Sequence, residues 1–166
     1  MTSPIRRLAA ASLALALAAC VDPAPQVVPA PVTAPAPGSA MSQEEMTAEV
    51  ARLVNAHRAR AGCAPLEWDA AAAQAAQSHS DDMARRGYFN HVSPDGVNVG
   101  TRVRTAGGSW RAIAENIASG QPTASAVVQG WLASSGHRAN IENCRYTRHG
   151  VGHRAGLWTH VFYTPL

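Results

Sequence analysis

The sequence predicts an α+β sandwich in which helices flank a small antiparallel sheet. Three observations carry that reading. Two well-capped stretches of helical periodicity follow residue 42, an apolar strand-like run surrounds residue 115, and the chain end alternates β-branched and aromatic residues around a glycine turn. Ser42-Gln43-Glu44-Glu45 forms a capping box, and Met46, Val50, Leu53, Val54 and His57 recur at helical spacing until Gly62. Asp69 can cap a second, Ala-rich helix through Ala72, Ala73, Ala76, Met83 and Arg86, with Gly87 placed to end it by a left-handed turn. The small residues of that helix permit close packing. Val97 to Ala106 reads as a short third helix, and Thr123 caps a fourth carrying Val127, Val128, Trp131 and Leu132. Between them, Arg111 to Ala118 reads as a strand. His149 to Arg154, then Ala155-Gly156, then Leu157 to Thr164 reads as an antiparallel hairpin.

At 166 residues, 46% apolar and 15% charged, the chain suits one compact domain of ordinary size. All 14 basic residues are Arg, so a phosphate-cradling lysine and a Schiff-base lysine are excluded, and much ATP and pyridoxal chemistry with them. Arg6 and Arg7 form a positive n-region ahead of the apolar stretch Leu8 to Ala19, which is too short for a permanent membrane span and reads as a signal peptide over residues 1–19. Without those two arginines, 12 Arg stand against 11 acids, a balance of +1 with no basic run, so no nucleic-acid partner is expected.

The stretch ends Leu17-Ala18-Ala19-Cys20, which resembles the bacterial lipobox and implies lipidation of Cys20. Val21 in place of Asp after that cysteine implies the outer membrane in lipoproteins of this kind. The alternative is a plain secretory signal and a secreted protein; both accounts put the domain outside the cytoplasm. Residues 20–41 are Pro- and Ala-rich and read as an extended tether, about 20 residues at about 3.1 Å each, holding the folded domain 42–166 up to about 60 Å from a membrane.

Apart from Cys20, two cysteines remain, Cys63 and Cys144, and in an oxidising compartment a disulfide between them is the default. The competing reading, a Cys nucleophile, would leave the other thiol unpaired outside the cell.

Three segments carry chemistry. Phe89-Asn90-His91-Val92-Ser93-Pro94-Asp95-Gly96 is a turn-rich loop presenting a histidine. Ala114-Glu115-Asn116-Ile117-Ala118 places a carboxylate inside an apolar run, where it needs a partner to be tolerated. Trp131 to Ile141 puts His137 just after a helix with a core-like Trp131. Two histidines and one carboxylate are a ligand set that a divalent transition metal accepts, with water completing the shell.

In this order, His-x-Ser-Pro-Asp-Gly, Glu-Asn-Ile-Ala, Trp-x-x-Ser-x-x-His-Arg-x-Asn-Ile and Gly-Val-Gly before an aromatic terminal strand, the segments resemble the bacterial branch of the CAP superfamily. This is the SCP-like family of cysteine-rich secretory proteins, antigen 5 and plant pathogenesis-related proteins. The resemblance covers nearly all of residues 42–166 and implies an α-β-α sandwich with a central cleft of two His and two acidic residues. The matched positions are His91, Glu115 and His137, with Asn116 and Ser134 beside them in the cleft. Where eukaryotic members carry a second Glu after the Trp, this chain has Trp131-Leu132-Ala133-Ser134, so the set is one carboxylate short. Two accounts stay open: Zn²⁺ on His91, Glu115 and His137 with Ser134 supporting from behind, or a hydrogen-bonded cluster without metal. His79, His149, His153 and His160 have no matched role and read as framework or surface residues.

The resemblance further implies a monomeric binding or interaction module of the cell envelope, held to the membrane by its lipid, with a lipid or envelope component as partner. The alternative is a metal-assisted or serine-type hydrolase using the same cleft, with Ser93, Ser134 and Ser135 nearby. No Gly-x-Ser-x-Gly and no His-Glu-x-x-His occurs to support it.

Overall fold

The computed structural model describes residues 41–166; the signal segment, Cys20 and nearly all of the linker lie outside the described residues. The described chain runs α1 (Gln43–Arg60), β1 (Glu67–Trp68), α2 (Ala70–Arg86), α3 (Val99–Thr105), β2 (Ala112–Ser119), α4 (Ala124–Ala133), α5 (Ser135–Ile141), β3 (Arg148–Arg154) and β4 (Leu157–Thr164). None of these helices is long and apolar enough to cross a membrane.

Local chemistry sets most of the helix ends. The Ser42 hydroxyl accepts from the Glu45 N–H at 3.2 Å while the Glu45 carboxylate accepts from the Ser42 N–H at 2.7 Å, the reciprocal pair expected of a capping box. Asp69, Asn98 and Thr123 cap α2, α3 and α4 through their side-chain oxygens. Gly87 ends α2 in the left-handed region at φ 67°. In the turn between β3 and β4 both Ala155 (φ 49°) and Gly156 (φ 78°) are left-handed, as a tight two-residue hairpin requires.

The sheet order is β1-β3-β4-β2, with β2, β4 and β3 antiparallel and β1 added parallel to β3. The sheet predicted as purely antiparallel thus gains a two-residue parallel edge. β4 is buried on both faces, and its alternate side chains divide between two cores. Trp158 and Phe162 join Val50, Val54, Val127, Val128 and Trp131 on the α1/α4 side. Val161 and Tyr163 join Ala72, Ala75, Ala76 and Val103 on the α2/α3 side. The result is an α-β-α sandwich, in agreement with the sequence. Cys63 and Cys144 are disulfide-bonded with Cα atoms 4.9 Å apart, tying the end of α1 to the loop before β3.

Two elements depart from expectation. His137 lies inside a helix of its own, α5, because Ser134 takes extended dihedrals (φ −95°, ψ 122°) and breaks the chain direction after α4. The third helix is shorter than predicted, starting at Val99 with Asn98 as its cap.

Candidate functional site

β2 is an edge strand, and its period of two assigns its central residues to opposite faces. Glu115 stands opposite Val161 on the α2/α3 side, and Asn116 opposite His160 on the α1/α4 side. The two sides of the strand therefore carry different halves of the site.

On the first side, Glu115 is the hub. Its side chain is only 2% exposed, yet it lies in an apolar strand, where an unpaired carboxylate would be costly. Both of its oxygens are engaged. His91 Nδ1 donates to Oε1 at 2.9 Å, and Arg102 Nη2 donates to Oε2 at 2.7 Å. A carboxylate only accepts, so Nδ1 of His91 carries a proton, and in the neutral tautomer Nε2 is left as the acceptor. The His91 side chain is 52% exposed, whereas Arg102 is 7% exposed. Arg102 also donates to the carbonyls of Val97 (2.9 Å) and His91 (3.1 Å), so one guanidinium ties α3, the loop after α2 and β2 together. Its Nε is buried with no partner.

His79, expected to be framework, is buried on α2 with Nε2 4.0 Å from Glu115 Oε1. That nitrogen donates to the Asn90 carbonyl at 2.9 Å. Burial pushes the His79 imidazole below its ordinary pKa, against a smaller opposing pull from Glu115. Behind it, Tyr88 donates to Asp82 Oδ2 at 2.7 Å; burial, reinforced by that carboxylate, pushes the phenol up to about 12.

On the second side, Asn116 is fully buried and spends its amide on positioning. Nδ2 donates to the His137 carbonyl at 3.0 Å, and Oδ1 accepts from Asn140 Nδ2 at 2.8 Å. α5 is fixed in this way against β2. Burial lowers the pKa of the His137 ring, and the neighbouring His91 lowers it further. Ser134 gives no side-chain cap to α5 and lines, with His137, a groove of about 340 Å³. Ile117, Ala118, Val127 and Trp131 form its walls, and Phe89, half exposed, stands at its mouth.

Of the residues predicted for the cleft, His91 and Glu115 are directly bonded, Asn116 and His137 are joined through a backbone carbonyl, and Ser134 lies in the groove beside His137. Among the described residues no group of three or more His, Cys, Asp or Glu side chains is placed to hold a metal ion. Arg102 and His79 were missed. Their signal was indirect: a Glu within an apolar strand demands a donor or cation, but nothing in the sequence says which of 14 arginines supplies it.

Residues 51–156 match the model of the cysteine-rich secretory protein family, CAP. Two curated proteins of Bacillus subtilis are similar: the uncharacterized protein YkwD, 38% identical over 69% of this chain and 45% of its own length, and the uncharacterized membrane protein YlbC, 37% identical over 69% and 33%. The chain spans less than half the length of either. Among solved structures, an extracellular protein containing a SCP domain from Bacillus anthracis superposes with a TM-score of 0.69 at 32% identity, covering 75% of this chain and 44% of that one. An outer surface protein from Borrelia burgdorferi also gives 0.69, at 18% identity, over 76% of this chain and 97% of its own, and shares the fold.

Proposed function

The chain belongs to the cysteine-rich secretory protein (CAP) family, and from that premise we propose that it is an extracytoplasmic binding module of the cell envelope whose groove takes an apolar, lipid-like chain. The observation that carries this reading is the groove beside His137. Its volume of about 340 Å³ falls in the range of small-ligand sites, and its walls are Ile117, Ala118, Val127 and Trp131 with Phe89 at the mouth. An exposed phenyl ring at the edge of an apolar groove is poorly served by water and well served by an acyl chain. His137 and Ser134 at the same groove offer polar contacts for a head group.

The envelope setting rests on the signal segment, on Cys20 and on the extracellular SCP-domain relative from Bacillus anthracis. With lipid on Cys20, the domain works at the end of a Pro-rich tether; replacing Cys20 by Ser then releases it from the membrane fraction.

Binding is tested by titrating the full chain with a fluorescent fatty acid. Saturable binding in the wild type that weakens at least about 10-fold in Phe89→Ser supports the reading, and equal behaviour of the two overturns it. The second reading, hydrolysis, draws on the His91–Glu115 bond, which leaves Nε2 of the neutral His91 ring as a base. Against it, no serine hydroxyl among the described residues is hydrogen-bonded to a histidine nitrogen. Turnover of an ester panel that disappears in His91→Ala would bring it forward.

A further inference from the structure

The groove beside His137 has apolar walls, but part of its floor is the free edge of β2, which a bare hydrocarbon does not suit. We propose that this edge is a docking strand and that the ligand of the groove is an acylated peptide, paired antiparallel with Ile117 and Glu115. The inference rests on the groove reading above and adds to it the class of ligand.

The register of β2 shows which way its backbone faces. The Gly120 N–H donates to the Gly156 carbonyl at 2.9 Å, and the ladder continues through Ala118 opposite Trp158 and Asn116 opposite His160, so the even-numbered residues direct their N–H and C=O groups at β4. Those of Glu115, Ile117 and Ser119 turn away from the sheet. Trp131, which lies outside the sheet, agrees with this parity: its Nε1 donates to the Ile117 carbonyl at 3.2 Å, and that oxygen keeps a second lone pair. Among the described residues nothing pairs with the N–H of Ile117 or with the N–H and C=O of Glu115, although the two residues are only 6% and 7% exposed. Backbone groups in so enclosed a place are nearly always paired.

The groove lies on this edge. It is lined by the consecutive residues Ile117, Ala118 and Ser119, with Phe89 from beyond α2 on one side and Trp131 and His137 from α4 and α5 on the other. An alkyl chain laid over the Ile117 N–H would cover it without replacing a hydrogen bond, which offsets part of the apolar gain. An acylated peptide meets both needs. With its acyl chain against Ala118, Val127 and Trp131, its first residue exchanges bonds with Ile117 and its third with Glu115. The antiparallel sense follows because the acyl group sits on the N-terminus of the peptide and the groove lies toward the C-terminal end of β2.

The probe is dodecanoyl-Ala-Ala-Ala-amide, titrated calorimetrically into the full chain. Beside it run the same molecule with an ester oxygen in place of the third residue's N–H, acetyl-Ala-Ala-Ala-amide, and dodecanoic acid. The acylated amide is expected to bind at least about 10-fold tighter than dodecanoic acid or the acetyl peptide, and about 5-fold tighter than the ester, which lacks one backbone hydrogen bond. Ile117→Pro removes the outward N–H and leaves the ladder to β4 intact, as an edge strand allows, and is expected to bring the amide down to the affinity of dodecanoic acid. Equal affinity of amide and ester, or no binding of the amide, overturns the inference, and that comparison stands even if Ile117→Pro fails to fold. An acetyl peptide that binds as tightly as the acylated one overturns it too, because the occupant is then a plain peptide. The groove reading is judged apart, by dodecanoic acid on wild type and Phe89→Ser, and it survives an ester that binds like the amide.

Discussion

Gly150 on β3 lies so close to α2 that a Cβ built on it would stand 2.0 Å from the backbone nitrogen of Ala73. Two residues on, a Cβ on Gly152 would stand 2.4 Å from the Ala76 carbonyl carbon. The Ala-rich helix and the Gly-Val-Gly strand are one device: both surfaces are stripped of side chains so that their backbones can meet. Neither glycine has a left-handed φ, so the constraint is space alone. Gly150→Ala is therefore expected to destabilise the domain by about 3 kcal/mol, as overpacking against rigid backbone does. Gly130→Ala, whose added Cβ meets only a side-chain nitrogen at 4.0 Å, is the control, expected to stay within about 0.5 kcal/mol of wild type in urea denaturation.

The second prediction concerns the junction between α1 and the loop before β3. The disulfide closes a separation of 81 residues, for which the chain-entropy argument gives about 4 to 5 kcal/mol. Beside it, Arg58 is completely buried and donates to the carbonyls of Ala64, Ile141, Asn143 and Tyr146 at 2.8 to 3.1 Å. Reduction removes the constraint on the unfolded chain but leaves these four bonds in place. Urea denaturation with and without reductant should differ by about 4 kcal/mol. Amide exchange in residues 141–146 of the reduced native state should stay slow. Fast exchange there would mean that the disulfide, not Arg58, holds the loop.

The third concerns acid. His149 Nδ1 and His160 Nε2 lie 3.0 Å apart in the interior, so at most one proton is shared between them along that contact. Burial, and after it the charge of Arg58, lowers His149 to about 4. Burial also lowers His160 well below the ordinary histidine value, with the neighbouring His149 and Arg58 adding to it. Above pH 6.5 both rings are neutral in folded and unfolded chains and contribute no slope. Between pH 6.5 and about 4 the unfolded chain takes up protons that the folded one refuses, so stability falls as pH falls. Each imidazole contributes about 1.4 kcal/mol per pH unit in that window. Unfolding free energies measured from about pH 7 to about pH 4 should fall as pH falls, and His149→Gln/His160→Met should make that fall shallower, leaving the part contributed by the lowered His79, His137 and His153.

How far the sequence reveals this molecule follows from where each signal resides. The caps Ser42, Asp69 and Thr123, the end at Gly87 and the Ala155-Gly156 turn are local, and the structure has them at the expected residues. β1 escaped because two residues have no periodicity; Glu67 and Trp68 become a strand only by pairing with Arg148 and His149, far along the chain. α5 escaped because Ser134-Ser135-Gly136 reads as the end of the preceding helix, and a helix of 7 residues is too short to show a period of its own. In the cleft, the need of Glu115 for a partner was legible, and so was the nearness of His91. Arg102 was not, since on a short helix beside Arg104 it has the look of an ordinary surface cation until α3 is laid across β2.

That arginine provides the last prediction. A buried ion pair loses much of its attraction to desolvation, but breaking one partner strands the other charge in the interior. Glu115→Gln leaves the Arg102 guanidinium, 7% exposed, without its counter-charge and is expected to cost about 3 to 5 kcal/mol. Arg102→Met strands Glu115 in the same way and should cost a similar amount. The double variant, Arg102→Met with Glu115→Gln, removes both charges and should cost less than the sum of the two, with a coupling of about 2 to 3 kcal/mol in the double-mutant cycle. The orphaned Nε of Arg102 supports the sign, because the present arrangement already leaves one buried donor unsatisfied and the methionine would not. Additive costs across the cycle would mean that the two side chains are held by their separate carbonyl and histidine bonds, and that the ion pair between α3 and β2 is incidental to both.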